Sequence, residues 1–171
     1  MYEYRIAETE DLEYLGNKNI EKHSSDPRWA VWKEEGICNH QSGRTKVFVV
    51  LYDGVPVGEG TLIFAPECSA IAGRTVLADG NSIVNVNALR IEKVHEGQGH
   101  ISKLVRMMEA YAAEQGYQEI TIGVEAKETR NLGIYLHWGY RTFVMSEFED
   151  GDLILYYGKK LVQMSQNMKK V

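Results

Sequence analysis

Two short stretches of this 171-residue chain combine residue types and spacing that can do chemistry. The first is Glu96-Gly97-Gln98-Gly99, which breaks an apolar strand pattern and opens a long amphipathic helix. A glycine turn between a strand and a helix aims unpaired backbone N–H groups and the positive end of the helix at one point, and such a point takes a phosphate. The stretch has no Gly-Lys-Ser/Thr, so it is not a P-loop. It also lacks the third glycine of a dinucleotide fingerprint and falls late in the chain. The second stretch is Tyr135-x-x-x-Gly139-Tyr140, on a short helical pattern closed by a glycine. His23, His40, His95, His100 and His137 show no metal-ligand spacing, and no metal is expected. Cys38 and Cys68 have neither zinc nor redox spacing and read as reduced thiols.

The elements that must position these stretches follow from periodicity. Tyr2 to Ala7 alternates as a short strand, and Thr9 stands where a helix N-cap belongs, with Leu12, Leu15 and Ile20 turned inward on a helix ending before Ser24. Pro27 to Gly43 is poorly patterned and suggests a short helix and a loop, with Trp29 and Trp32 as core filler. Lys46–Tyr52 and Val55–Ala65 flank Asp53-Gly54 as an antiparallel hairpin. Pro66 to Gly80 is loop-like, with room for a short strand at Thr75-Val76-Leu77. Ser82 to Val94 is a strand long enough to need a bulge or bend. From about Gly99 to Gln115, Ile101, Leu104, Val105, Met108 and Ala112 form one apolar helical face, stopped by Gly116. Glu119–Glu125 is the next strand. It must run parallel to the strand before the helix, because a βαβ unit connects them. Thr129–Trp138 is a short helix, and Tyr140–Phe148 and Asp152–Leu161 form a final hairpin around Glu149-Asp150-Gly151.

Composition narrows the classes. The 44% hydrophobic and 25% charged residues are ordinary globular values, so the chain is expected to be one domain, residues 1–171, with a frayed tail over 162–171. A net charge of −5 argues against nucleic acid as a partner and leans toward basic small molecules such as a polyamine or aminoglycoside. The start is neither basic nor apolar enough for a secretory signal, and no run approaches the roughly 18 apolar residues of a membrane span. The expectation is a cytoplasmic protein with no membrane partner. Sheet edges and the last hairpin offer surfaces for a homodimer.

This order of elements, with a glycine turn and a Tyr-x-x-x-Gly-aromatic helix one helix and one strand apart, resembles the GCN5-related N-acetyltransferase (GNAT) superfamily. The resemblance covers nearly the whole chain and is strongest over Asn87 to Phe143. It implies an α/β fold of the GNAT type: a mixed, mostly antiparallel central sheet in which the parallel fourth and fifth strands splay near Ile91 and Gly123 to admit acetyl-CoA as cosubstrate. In the family the turn reads Gln/Arg-x-x-Gly-x-Gly/Ala, and its amides hold the acetyl-CoA pyrophosphate. The matching positions here are Glu96, Gly97, Gln98, Gly99, His100 and Ile101, continued by Ser102. Glu96 replaces the usual Gln or Arg, and Ile101 the last small residue; Gln98 or His100 is the candidate compensating donor. The second family signature, Asn-x-x-Ala-x-x-Leu-Tyr-x-x-x-Gly-Phe, aligns Glu128, Asn131, Tyr135, Gly139 and Tyr140.

The resemblance implies direct attack of a neutral primary amine, of a small molecule or peptide, on the thioester within a ternary complex. Leu89, Arg90 and Ile91 match the strand that contacts pantetheine, with Ile91 the amide for the oxyanion. Tyr135 is the acid for the leaving thiolate, and Asn131 stands beside the cofactor. Strand acids are the candidate bases: Glu59 first, then Glu125, with Glu92 demoted because parity places it opposite Asn85, Asn87, Leu89 and Ile91. Asn87 is a candidate water-holder, and Arg74 and Arg90 are candidate phosphate contacts. No cysteine lies in either motif, so an acetyl-cysteine intermediate is not indicated. The alternative is a non-catalytic acyl-CoA-binding domain on the same fold. Acceptor choice is expected to reside in residues 20–45 and 66–82.

Overall fold

The computed structural model describes residues 1–162; the last nine residues of the expected tail lie outside the described residues. In chain order the elements are β1 (Tyr2–Ile6), α1 (Thr9–Lys22), α2 (Arg28–Ser42), β2 (Thr45–Tyr52), β3 (Val55–Ile63), β4 (Ile83–Ile91), α3 (His100–Glu114), β5 (Glu119–Glu125), α4 (Thr129–His137), β6 (Thr142–Glu149) and β7 (Asp152–Lys160). A 3₁₀ turn, Lys93–His95, links β4 to the glycine turn. The strands pair in the order β1-β2-β3-β4-β5-β7-β6. Only sequence-adjacent pairings are legible from sequence, and the insertion of β7 between β5 and β6 is not among them.

By backbone proximity the chain divides into two compact units, Met1–Leu62 with Ala88–Met107, and Ile63–Asn87 with the chain from Met108 on. In the first unit β1 pairs antiparallel to β2 from Tyr2–Tyr52 to Ile6–Phe48. Ala7, Leu12, Leu15, Val47, Val49 and Leu51 form a core there, with Ile37 of α2 packed against it. The N-cap of α1 is Glu8 rather than Thr9. Asp11, one turn on, accepts the Glu8 N–H at 2.7 Å and ion-pairs with Arg5 at 2.6 Å, so the reciprocal side chain sets the helix start. Residues 28–42 form one continuous helix, not a short helix and loop, stopped by Gly43 at φ 81. That helix buries no residue fully. Trp29 is only half-buried and Trp32 is exposed, so neither is core filler. The absence of a fully buried stripe on α2 is why its periodicity was illegible.

In the second unit β4 and β5 pair in parallel from Ile83–Glu119 to Val86–Ile122. Gly123, Val124 and Glu125 continue β5 on register with Tyr156, Leu155 and Ile154 of β7. The β6–β7 hairpin turns on Asp150 and Gly151, both at positive φ, and shifts register between Phe143 and Met145. Residues 66–80 contain no strand; Thr75-Val76-Leu77 is a turn. This loop supplies core instead: Cys68, Ile71, Leu77 and Ala78 pack with Ile63, Ala65 and Tyr156. Arg74 fastens it to Glu147 and to the carbonyls of Ile71 and Ala70, so Arg74 is committed to protein partners.

Candidate active site

The expected bend in β4 is a single residue, Ala88 at φ 53. Before it, Val84, Asn85 and Val86 are buried, and Asn85 donates to Thr121 Oγ1 at 2.9 Å. A residue forced into the left-handed region breaks the period-two alternation. The face assigned to Asn87 and Ile91 by simple parity therefore does not carry across Ala88. Beyond the bend, Glu92 N–H reaches Val57 O at 2.8 Å. Along an extended strand successive amides alternate in direction, so the Ile91 N–H points away from β3. Gly58 is needed opposite: a Cβ there would stand 3.0 Å from Arg90 O and 3.4 Å from the Ile91 side chain. Glu92 itself is ion-paired to Lys18, and Asn87 is exposed.

The glycine turn follows. Glu96 N–H closes the 3₁₀ turn on Lys93 O at 3.2 Å, and its side chain is exposed to solvent. Gly97 and Gly99 adopt φ 73 and 81, where an L side chain is strained. A Cβ on either would meet no protein atom within 4 Å, so the backbone there is open to a ligand. The first intrahelical bond at this end runs from Lys103 N–H to Gly99 O at 3.1 Å, which leaves the amides of His100, Ile101 and Ser102 as the unpaired first turn of α3. Open glycine backbone, three helix-start amides and the positive helix end suit a pyrophosphate.

His100 does not serve this turn through its ring. The residue is only 5% exposed, its Nδ1 lies 2.6 Å from Tyr4 OH, and its ring packs on Tyr2, tilted by 37° with ring centres 4.0 Å apart. Burial, then the charges of Lys103 and His95, push its pKa below the ordinary histidine value, so the ring is neutral near pH 7. Tyr2 OH also lies 2.7 Å from His95 Nδ1 and 3.4 Å from Gln98 Oε1. β1 thus props the turn from behind. The His100 ring is therefore buried against β1 and is not the compensating donor at the turn, while its backbone amide keeps its place there. Gln98 is exposed on the turn, and Ile101 and Ser102 are half-buried.

A second cluster stands on α1, α2, β3 and β4. Glu59 is 9% exposed, and its Oε1 accepts from Arg90 Nη1 at 2.7 Å and from Asn19 Nδ2 at 3.4 Å. The Arg90 guanidinium lies 4.9 Å from the Trp29 ring centre, so its side chain runs to Glu59 and Trp29. Leu89 is half-buried beside it. Of the sequence-assigned residues, the first unit brings Glu59 and Arg90 together in direct contact.

In the second unit, α4 carries Tyr135, half-buried, with Trp138 at 5.6 Å between ring centres. Burial pushes its phenol above the usual tyrosine value, which keeps it protonated and a donor. Asn131, Glu128 and Glu59's competitor Glu125 are exposed, exposed and half-buried. Gly139 ends the helix at φ 99, and Tyr140 N–H returns to Tyr135 O at 3.1 Å. Tyr140 is fully buried; its hydroxyl donates to Glu109 at 3.0 Å, and Glu109 pairs with Lys159 at 2.8 Å. No group of three metal-ligating side chains occurs among the described residues, and no helix among them is long and apolar enough to cross a membrane.

The model of the acetyltransferase (GNAT) family matches residues 4–140, a span that holds both the glycine turn and the Tyr135 helix. The chain belongs to the GNAT acetyltransferase family. No curated protein matches it. Among solved structures it is similar to an N-acetyltransferase from Staphylococcus aureus Mu50, at 14% identity over 95% of this chain and 99% of that one, with a TM-score of 0.71. An acetyltransferase from Salmonella typhimurium solved with acetyl-CoA is 16% identical over 95% of each chain, with a TM-score of 0.64. An N-acetyltransferase from Thermoplasma acidophilum in complex with coenzyme A is 16% identical over 93% of this chain and 99% of that one, with a TM-score of 0.60. At such identities the likeness carries the GNAT fold: a mixed α/β architecture with a seven-stranded sheet and a parallel β4–β5 pair.

Proposed function

We propose that this protein is a cytoplasmic, acetyl-CoA-dependent N-acetyltransferase acting on a primary amine. The observation that carries the reading is the glycine turn: Gly97 and Gly99 in the left-handed region, open space over both, and the unpaired first turn of α3 behind them. Amides from Gly97 to Ser102 hold the pyrophosphate, and solvent-exposed Glu96 turns its carboxylate outward. Leu89, Arg90 and Ile91 offer main-chain contacts along β4. Acetyl-CoA supplies the thioester carbonyl that the amine attacks. The Ile91 N–H, directed away from β3, stabilises the developing oxyanion. Tyr135, kept protonated by burial, delivers its proton to the leaving sulfur, a role that typically contributes about 10²–10⁴ in rate. Glu59 takes the proton from the incoming ammonium.

The test pairs binding with turnover. Acetyl-CoA at about a hundredfold above its Kd should stabilise the fold by about 2.7 kcal/mol, and an amine panel should release coenzyme A thiol. No thermal shift would remove the cosubstrate assignment. A shift without thiol release for any amine would favour a non-catalytic acyl-CoA-binding domain.

A further inference from the structure

Resting on the acetyltransferase reading, we infer that the acceptor is a zwitterionic amine, an amino acid or similar small molecule bearing its own carboxylate, and that Glu59 and Arg90 read its two charges. Glu59 is buried to nine-tenths, yet only its Oε1 is engaged, by Arg90 Nη1 at 2.7 Å and Asn19 Nδ2 at 3.4 Å. Its Oε2 takes no hydrogen bond among the described residues, and the Glu59 side chain keeps 12% of its surface exposed. Arg90 uses one of its five donors on Glu59, and its side chain is 43% exposed. Both members of the pair therefore keep hydrogen-bonding capacity on an accessible side.

Charge then selects the ligand class. An ammonium docked on Glu59 Oε2 stands next to the Arg90 guanidinium and is repelled, unless the same molecule brings an anion for that guanidinium. A carboxylate meets the planar fork of arginine bidentately. A polyamine has no such anion, so the lean toward polycations drawn from net charge gives way to a local argument. The surroundings fit a small acceptor. Trp29 holds Arg90 at 4.9 Å, carries the His23 ring stacked at 4.0 Å and 8°, and meets Trp32 edge-on at 5.2 Å. Lys18 and Glu92 neutralise each other. All these groups lie on α1, α2, β3 and β4 or on the residue that directly follows α1 or β4.

The test uses the full chain with saturating acetyl-CoA and thiol release as readout. Each of the twenty amino acids is compared with its own carboxamide, and spermidine serves as the polycation. The expected result is a kcat/KM preference of about 10- to 100-fold for carboxylate over carboxamide in the best pair. Arg90→Gln should bring that ratio to within about threefold, and Arg90→Lys should restore part of it. Turnover with no carboxylate preference in the wild type, spermidine as the best acceptor, or a preference surviving Arg90→Gln overturns the subsite while leaving acetyl transfer standing. Thermal shift by acetyl-CoA with no amine acetylated removes both. Should the variants fail to fold, calorimetric titration of the wild-type protein in coenzyme A with amino acid against amide decides: equal affinities overturn the inference.

Discussion

Gly99→Ala isolates the ligand's claim on the turn from the fold's claim on it. At φ 81 an alanine pays about 1–2 kcal/mol for the left-handed conformation. The added methyl meets no protein atom within 4 Å, so no packing term adds to this. Loss of unfolded-chain freedom returns about 0.4–1 kcal/mol. The net cost is about 1 kcal/mol, a fall in Tm of about 2–4 °C for a chain of this size. Gly116→Ala is the matched control, since Gly116 sits at φ 91 with equally open space but ends α3 instead of starting it. Both variants should lose the same few degrees. Only Gly99→Ala should weaken acetyl-CoA, because the methyl projects where the pyrophosphate meets the amides. Losing one charge-assisted bond there costs about 1.5–3 kcal/mol, or about 10- to 100-fold in Kd. Calorimetric titration of coenzyme A and thermal unfolding read the two effects separately. A Kd for Gly99→Ala within threefold of that for Gly116→Ala would refute the placement of the pyrophosphate.

Tyr135→Phe should cut kcat by about 10²–10⁴ with little change in acetyl-CoA Kd, and because burial raises the phenol, this group should impose no fall in the wild-type kcat profile below pH 10. Asp79 anchors the start of β4. Burial opposes its charge, but the N–H groups of Ile83, Asn81 and Ser82 and the Ser82 hydroxyl outweigh that and hold its pKa at about 2, against 3.8 unperturbed. A depressed pKa stabilises the fold above the unfolded value and loses that contribution as pH falls from about 4 toward 2, so Asp79→Asn should lose about 2 kcal/mol at pH 7 and flatten the acid limb of the stability profile. Tyr140→Phe should cost about 1–3 kcal/mol in urea unfolding, since it leaves Glu109 with Lys159 but without the tyrosine hydroxyl.

The sequence was legible where one face of an element is buried and the period is clean. α3 shows this: Leu104, Val105, Met108 and Ala112 are all fully buried, and Gly116 stops the helix at φ 91. The hairpin at Asp53-Gly54 forms with both residues at positive φ, as the pair demands. α2 was half legible because its half-buried face is built from Trp29, Lys33, Gly36, Ile37 and His40, and a face shared by polar and small residues leaves no apolar stripe to read. The loop at 66–80 misled in the opposite direction: its apolar residues have no period because they fill the core from turns. In the site, the turn was visible through its glycines, but the Glu59–Arg90 pair was not. Its members are 31 residues apart and belong to different strands, and only the pairing of β3 with β4 joins them.

What the family signature reports differs from position to position. Gly139 is required by φ 99 at the end of α4, and Tyr140 is a fully buried plug whose hydroxyl is spent on Glu109. Those two positions specify packing, and a chain that had lost acetyl transfer would still be selected to keep them. Gly97 and Gly99 are different, because the helix-side residues that follow them, His100 to Ser102, leave their amides unpaired beside open backbone. The off-pattern residues obey the same division. Glu96 is exposed and Ile101 is half-buried on the helix, so both replace side chains whose family role is separable from the main-chain cradle. The test of function therefore belongs at Gly99, read against its fold-only control Gly116, and at Tyr135 and Arg90, read by ligand binding and turnover beside stability.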